Sequence, residues 1–215
     1  MTEMNRYYRD RAPVYDDVYS YPERQQDLRF LESHLSGALR DRHVLEVAAG
    51  TGYWTRHISG SARSILATDL EPAQLEQIHQ RELGCSTETR VVDAYRLSGT
   101  IDDKFDGAFA GLWLSHVPKQ RMAEFFSSLH QCLKPGARVI LIDNSVAQCQ
   151  RLPITFTDEW GNTFQDRQLD NGETYRVLKN FPTVEELEHW VSAFGDPEDY
   201  VELEQFWLYQ YSRRI

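Results

Sequence analysis

Glu46-Val47-Ala48-Ala49-Gly50-Thr51-Gly52 sets a carboxylate just ahead of two closely spaced glycines. Glycines let a backbone turn tightly and lie against a ligand. A dinucleotide fingerprint would need a third glycine at position 55, where Thr55 stands. Glu46 would also repel a pyrophosphate, so a cationic or zwitterionic ligand suits the loop better. The plainer alternative is a buried acid bonded to the turn's own N–H groups. Asp69, 17 residues beyond Gly52, is placed to accept two ribose hydroxyls, or else to cap the helix near Pro72. Asp93 can accept from an adenine amino group while Leu70 and Ala94 pack on the ring, or it is a plain turn residue.

Tyr7, Tyr8, Tyr15, Tyr53 and Trp54 offer ring faces to a cation, although core packing also explains such residues. Gly111-Leu112-Trp113-Leu114-Ser115-His116-Val117 brings a histidine close behind a glycine. An imidazole with its usual pKa near ~6.5 suits a general base, and structural histidines are the common alternative. Tyr8, His116 and Asn144 are therefore the candidates at the reacting end. Arg151, Arg167, Arg176 and Lys179 are cations that could clamp a carboxylate or phosphonate, or be solvated charges. Trp113, Asn144, Arg176 and Lys179 are the expected substrate contacts, and Asn180 is a further polar group.

These residues fall at the ends of predicted elements. Pro13 interrupts a short N-terminal helix, and Pro22 opens a second helix running to about Leu39. Leu28, Leu31, Leu35 and Leu39 recur there at helical spacing. Residues 44–48, 64–68, 90–92, 105–113 and 137–142 read as strands, with helices over 53–58, 72–82 and 119–133. Lys134-Pro135-Gly136 reads as a turn. Such alternation predicts a mostly parallel sheet covered on both faces, binding ligands beyond the strands' carboxyl ends. Trp160-Gly161-Asn162 and Asp170-Asn171-Gly172 punctuate a β-hairpin or small meander over 151–180. Thr183 and Glu186 form a capping box for a helix over 183–194, and residues 200–211 supply two closing strands. Residues 1–215 thus read as a single domain, with a helical lid over 1–40.

With 215 residues, 23 Lys+Arg and 33 Asp+Glu, the chain carries a formal charge of −10, which disfavours a polyanionic partner. No apolar run is long enough to span a bilayer, and residues 1–10 are too polar for a signal peptide. Cys85, Cys132 and Cys149 form no C-x-x-C pair, which suggests neither zinc nor a disulfide framework and fits a reducing cytoplasm.

Residues 44–55, 67–72, 91–94, 105–117 and 133–143 resemble the successive motifs of class I S-adenosylmethionine-dependent methyltransferases. The resemblance implies a Rossmann-like, seven-stranded sheet whose last strand is antiparallel, with a β-hairpin insertion after strand 5. It implies that Glu46, Gly50 and Gly52 cradle the methionine part of S-adenosylmethionine, Asp69 the ribose, and Asp93 and Ala94 the adenine. Ala48 stands where the family has its first glycine. Tyr7, Tyr15, Tyr53, Trp54, Leu70 and Gly111 complete the expected cofactor surroundings. The Asn/Asp-Pro-Pro-aromatic run of DNA and protein-amide N-methyltransferases is absent after Gly111.

A narrower resemblance covers Tyr7-Tyr8, Pro22-Glu23-Arg24, 50–55, 113–116, Asp143-Asn144-Ser145, 161–165 and 177–182. These look like the methyltransferase domain fused to ovothiol-forming 5-histidylcysteine sulfoxide synthases, which implies N-methylation of the imidazole of 5-thiohistidine. Residues 50–55, 113–118 and 176–181 are also similar to the phosphonate O-methyltransferase of dehydrophos biosynthesis. The expected partner is a small polar metabolite rather than nucleic acid or membrane, and the expected assembly a monomer or homodimer. The other readings are a nicotinamide dehydrogenase, opposed by Glu46 and Thr55, and a non-catalytic cofactor-binding protein.

Overall fold

Pro13 and Pro22 divide the N-terminal segment as the sequence predicts. A computed structural model describes residues 3–169 and 171–214. In it α1 (Glu3–Arg11) gives way to a 3-10 helix at Ala12–Tyr19, and a 3-10 turn at Pro22–Arg24 leads into α2 (Gln25–Ala38). Leu28, Leu31 and Leu35 of α2 are buried. The chain then alternates: β1 (His43–Val47), α3 (Tyr53–Ser59), β2 (Ser64–Asp69), α4 (Pro72–Ile78), β3 (Ser86–Val91), β4 (Phe105–Gly111), α5 (Met122–Gln131) and β5 (Leu133–Asn144). An inserted unit follows, with β6 (Phe156–Thr157), β7 (Thr163–Gln168) and β8 (Thr174–Leu178). α6 (Val184–Val191), β9 (Gly195–Glu202) and β10 (Phe206–Arg213) close the fold.

The main sheet has seven strands in the order β3-β2-β1-β4-β5-β10-β9. β10 runs antiparallel to β5 and β9, and the other pairings are parallel. This is the class I methyltransferase arrangement that the sequence resemblance implied. Val44, Leu45 and Val47 of β1 are at most 1% exposed, because a central parallel strand is covered on both faces. The strand order reverses between β2 and β4 on either side of β1, so a crevice opens beyond their carboxyl ends. The inserted strands form an antiparallel three-stranded sheet in the order β6-β7-β8. Gly161 takes a left-handed φ of 74° in its first turn; Asp170 of the second turn lies outside the described residues.

Several boundaries differ from the sequence reading. Lys134-Pro135-Gly136 does not end a segment: β5 begins at Leu133 and runs through it. Its pairing with β4 skips from Phe105↔Leu133 to Gly107↔Arg138, so the turn signal became a bulge at the sheet rim. β3 starts at Ser86, although its polar residues hide the alternation of a half-exposed edge strand. α4 stops at Ile78 rather than Glu82, and α5 is preceded by a 3-10 turn at Lys119–Arg121. The Thr183–Glu186 capping box is present. β9 begins at Gly195 and carries Pro197, which an edge strand tolerates.

Gly195 is fixed by close packing. A Cβ there would sit 2.4 Å from Tyr211 Cδ2 and 2.8 Å from the Ser212 carbonyl. Gly195→Ala is expected to cost about 1–3 kcal/mol by overpacking, read as a lower urea midpoint with an unchanged m-value.

Candidate active site

Two cavities open beyond the carboxyl ends of β1, β2 and β4. One, about 560 Å³, is lined by Ala48, Gly50, Asp69, Leu70, Asp93, Ala94, Gly111 and Trp113. Its volume lies in the range of small-molecule sites. The other, about 700 Å³, lies under the N-terminal segment and the inserted sheet. Tyr8, Tyr15, Leu112 and His116 line both cavities and form their common wall.

The first cavity is shaped by the loop after β1. Ala48 has φ 53°, a left-handed conformation that favours glycine, so the alanine is held against its preference. Gly50 has φ 56°, and its N–H donates to Asp69 Oδ2 at 2.9 Å. Asp69 Oδ1 accepts from the Glu71 N–H at 2.9 Å. Each oxygen keeps a second lone pair for a hydroxyl donor. Burial pushes the Asp69 carboxyl above its usual range. Asp93 Oδ1 accepts from the Tyr95 N–H at 2.9 Å, and Leu70 and Ala94 supply apolar wall beside it. Gly111 is required by a close approach, since a Cβ would stand 2.7 Å from the Phe109 ring and 2.9 Å from Trp54.

Glu46 lies beneath this loop and does not line either cavity. It is 1% exposed, and neither carboxylate oxygen has a hydrogen-bond partner. The alternative of an acid satisfied by the turn's N–H groups is therefore not what the fold builds. Burial pushes its carboxyl up to about 8. The two strand-end aspartates and the glycine turn together suit a ligand with a ribose and a heterocycle, while Glu46 lies beneath the turn instead of facing the ligand.

Other expected cofactor contacts go elsewhere. Tyr53 stacks on Tyr19 with ring centres 3.6 Å apart and its hydroxyl bonds Glu32. Trp54 is buried in the core against Phe109. Neither lines a cavity, because α3 turns both into the packing against α2 and the N-terminal segment. Gly52 is the left-handed residue before α3, and Arg81 packs across it. Tyr7 lines the second cavity, clustered with Tyr175 and Val177.

At the common wall, His116 is 5% exposed. Its Nδ1 lies 2.6 Å from the Leu178 carbonyl, which can only accept, so Nδ1 carries the proton. Nε2 lies 2.7 Å from the Tyr8 hydroxyl and accepts a hydrogen bond from it. Burial, with Lys179 and Arg167 nearby, lowers the imidazole to about 3. His116 is therefore neutral at pH 7, with both ring nitrogens engaged. The free imidazole of ordinary pKa expected from sequence is not present. Burial raises the Tyr8 hydroxyl to about 12, so it stays protonated.

The expected substrate contacts also sort differently. Trp113 and Arg176 line the first cavity rather than the second, and Arg176 pairs with Asp166 at 3.0 Å. Lys179 does line the second cavity, but its ammonium is 2.7 Å from both Asp143 Oδ1 and Ser115 Oγ. Asn180 is spent inside the protein, donating to the Val117 carbonyl and accepting from the Thr163 N–H. Asn144 lines the second cavity, 3% exposed, with no partner for Nδ2. Arg151 pairs with Glu23 at 3.3 Å.

Arg167 is the exception among the four cations singled out by sequence. It is 5% exposed, lines the second cavity and meets no carboxylate among the described residues. Its guanidinium donates to Gln165 Oε1 at 2.8 Å and to the Tyr8 hydroxyl at 3.3 Å, while Nε has no acceptor. Arg11 and Arg24 line the same cavity, also without a carboxylate partner among the described residues. Both were missed, because they belong to the N-terminal segment, far in sequence from the insertion. No cluster of His, Cys, Asp or Glu among the described residues could hold a metal.

Two outcomes follow from the buried charges. For Glu46, stability is present below the unfolded-state value and is lost as pH rises through about 8. Between pH 5 and 8 the ligand-free protein should lose on the order of 2–4 kcal/mol relative to Glu46→Gln. Urea unfolding across that range measures it, and parallel pH slopes would contradict it. Lys179→Met should destabilise by about 3–5 kcal/mol by stranding the Asp143 carboxylate. Lys179→Met/Asp143→Leu should recover most of that loss in the same assay.

Residues 44–136 match the family model described as a methyltransferase domain. Over 103 residues the chain is 28% identical to the ubiquinone biosynthesis O-methyltransferase of Pseudomonas syringae pv. tomato. That alignment covers 47% of this chain and 44% of the relative, so it spans under half of the relative's length. A DhpI–SAH complex superposes with a TM-score of 0.80 at 28% identity, covering 99% of this chain and 96% of that one. A DhpI–SAM–HEP complex gives 0.79 at 29% identity, with 98% and 96% covered. The N-methyltransferase NodS of Bradyrhizobium japonicum, in complex with S-adenosyl-L-homocysteine, shares the fold at a TM-score of 0.71 and 14% identity, with 99% of each chain covered. The glycine turn, the strand-end aspartates and these likenesses converge: residues 44–136 match a methyltransferase domain, and the chain has the class I methyltransferase fold.

Proposed function

We propose that this protein methylates a small anionic metabolite, and that the accepting atom is an oxygen of a phosphonate or carboxylate group. Arg167 carries this reading. A buried guanidinium without a counter-ion is costly, and a bound anion in the adjoining cavity relieves that cost through charge-assisted hydrogen bonds. Arg11 and Arg24 add positive charge to the same walls. The curated relative is named for O-methylation, and a DhpI complex holds a further molecule beside SAM; both support an oxygen acceptor and a small substrate.

When bound, S-adenosylmethionine supplies an electrophilic methyl group, so an acceptor that arrives as an anion is alkylated without surrendering a proton. The chain's own residues then have binding and orienting tasks. Tyr8 accepts from Arg167 and donates to His116, which fixes the guanidinium against the common wall. His116 orients Tyr8 and takes no proton from substrate, since both ring nitrogens are engaged. Asn144 brings an unused Nδ2 donor to a substrate oxygen. Tyr15 and Leu112 exclude water where the cavities meet.

N-methylation of 5-thiohistidine, as in ovothiol biosynthesis, is the second reading, because the carboxylate of an amino acid also suits these guanidiniums. The thiols of Cys85, Cys132 and Cys149 are free, which suits a reducing cytoplasm, and no helix among the described residues is long and apolar enough to cross a membrane.

The test is a panel of small phosphonates, carboxylates and 5-thiohistidine with S-adenosylmethionine, followed by mass spectrometry for added methyl and by proton release at mildly alkaline pH. Esterification of an anion releases no proton; methylation of a neutral imidazole N–H releases one. A thiohistidine product with proton release would replace the first reading, and no product from the whole panel would remove both. Arg167→Gln should raise the acceptor KM by roughly 10–100-fold while calorimetric affinity for S-adenosyl-L-homocysteine stays unchanged.

A further inference from the structure

Asp16 lies in the N-terminal 3-10 helix, yet its carboxylate reaches the loop after β1. One oxygen accepts from the Thr51 hydroxyl at 2.5 Å, and the other pairs with the Arg81 guanidinium. Arg81 in turn donates from Nε to the Thr51 carbonyl at 2.7 Å. Thr51, 2% exposed, sits between Gly50 and Gly52. A Cβ on Gly52 would lie 2.7 Å from Ile78 Cγ1, so the glycine lets the end of α4 pack closely on the loop, with Arg81 just beyond it. The N-terminal segment is otherwise tied to α4 through its main chain, by Gln74 to the Tyr8 carbonyl and Gln77 to the Ala12 carbonyl. Asp16 extends this attachment to the loop itself.

The neighbours on either side give the contact its consequence. Gly50 lines the cavity that suits the cofactor. Tyr15, adjacent to Asp16, lines both cavities, and its ring meets Tyr8 edge-on at 6.0 Å. One carboxylate thus sets the glycine turn on one side and the common wall on the other.

We propose that Asp16 is a positioning residue that registers the N-terminal segment on the cofactor loop, so that binding in the first cavity orders the wall of the second. The proposal rests on the reading that residues 44–136 hold S-adenosylmethionine. It needs no contact between Asp16 and either ligand. The Asp16–Thr51–Arg81 cluster joins the segment to the turn, so a ligand that steadies the turn steadies Asp16 and Tyr15 with it.

S-adenosyl-L-homocysteine is the probe. The Asp16 side chain is 43% exposed, so Asp16→Ala leaves no buried cavity and should fold. Calorimetry should show its affinity for the probe weakened by about tenfold, the size expected for losing hydrogen bonds to a charged group. Limited trypsin digestion supplies the second readout. In the wild type the probe should slow cleavage after Arg9 and Arg11; in Asp16→Ala that protection should be lost, while Asp16→Glu should restore part of it. A merely structural role, which would overturn the proposal, would lower the thermal stability of Asp16→Ala with and without the probe while leaving ligand-dependent protection in place. Wild-type affinity and wild-type protection in Asp16→Ala would overturn the proposal. Failure of the wild type itself to bind the probe would instead overturn the cofactor reading, which separates the two failures.

Discussion

Lys179 reaches from the end of the inserted sheet to the end of β5, where its ammonium meets Asp143 and Ser115 in the protein interior. Asp143 also accepts the N–H groups of Ser115 and Asn144, so its carboxylate is fully engaged. Burial opposes both charges, and the short contact and extra donors offset that cost. Burial lowers the lysine to about 8, while Lys179 holds Asp143 below its ordinary range despite burial. The pair joins three segments that are distant in sequence. It holds the turn containing Ser115 and His116 against the end of β5, and it brings the Leu178 carbonyl to Nδ1 of His116. The orientation of His116, then of Tyr8, then of Arg167 follows from that contact.

An acidic protein can build a predominantly basic cavity because surface and site obey different constraints. The formal charge of −10 is carried by many exposed carboxylates, where water screens them. Inside, charge must be paired or held for a ligand. Lys179 is paired, and Arg167 is not. The same logic separates the acids: Asp69 and Asp93 bond backbone N–H groups at strand ends, whereas Glu46 is left without partners beneath the glycine turn.

The inserted sheet serves two cavities instead of one. Arg167 and Lys179 face one cavity, while Phe164, Arg176 and Leu178 face the other. It therefore bounds both, and fastens itself through Asn162 and Asn180 to the segment after β4. Asn180 looked available for a ligand because a sequence does not show which amides the fold has already used. Arg176 and Lys179 looked equivalent to Arg167 for the same reason. Their counter-ions, Asp166 and Asp143, come from other strands or other parts of the chain.

The parallel strands, the glycine turn and the strand-end aspartates were legible in the sequence, because each depends on local pattern: apolar runs, turn residues and the spacing between them. Asp69 and Asp93 follow strands, so backbone direction alone sends them to the crevice. Tyr53 and Trp54 follow the same loop but were not legible, since helix rotation decides which side faces the core. His116 was legible as a residue and not as a chemical group. Its ordinary pKa was replaced by burial and by two long-range partners, Leu178 and Tyr8. Arg11, Arg24 and Asp16 became part of the site only when the N-terminal segment folded back over it. The sequence by itself determined the strand-and-turn frame, because that frame is written in neighbouring residues. Tertiary structure decided which charges are paired and which remain for a ligand, because pairing depends on distances that sequence spacing does not encode.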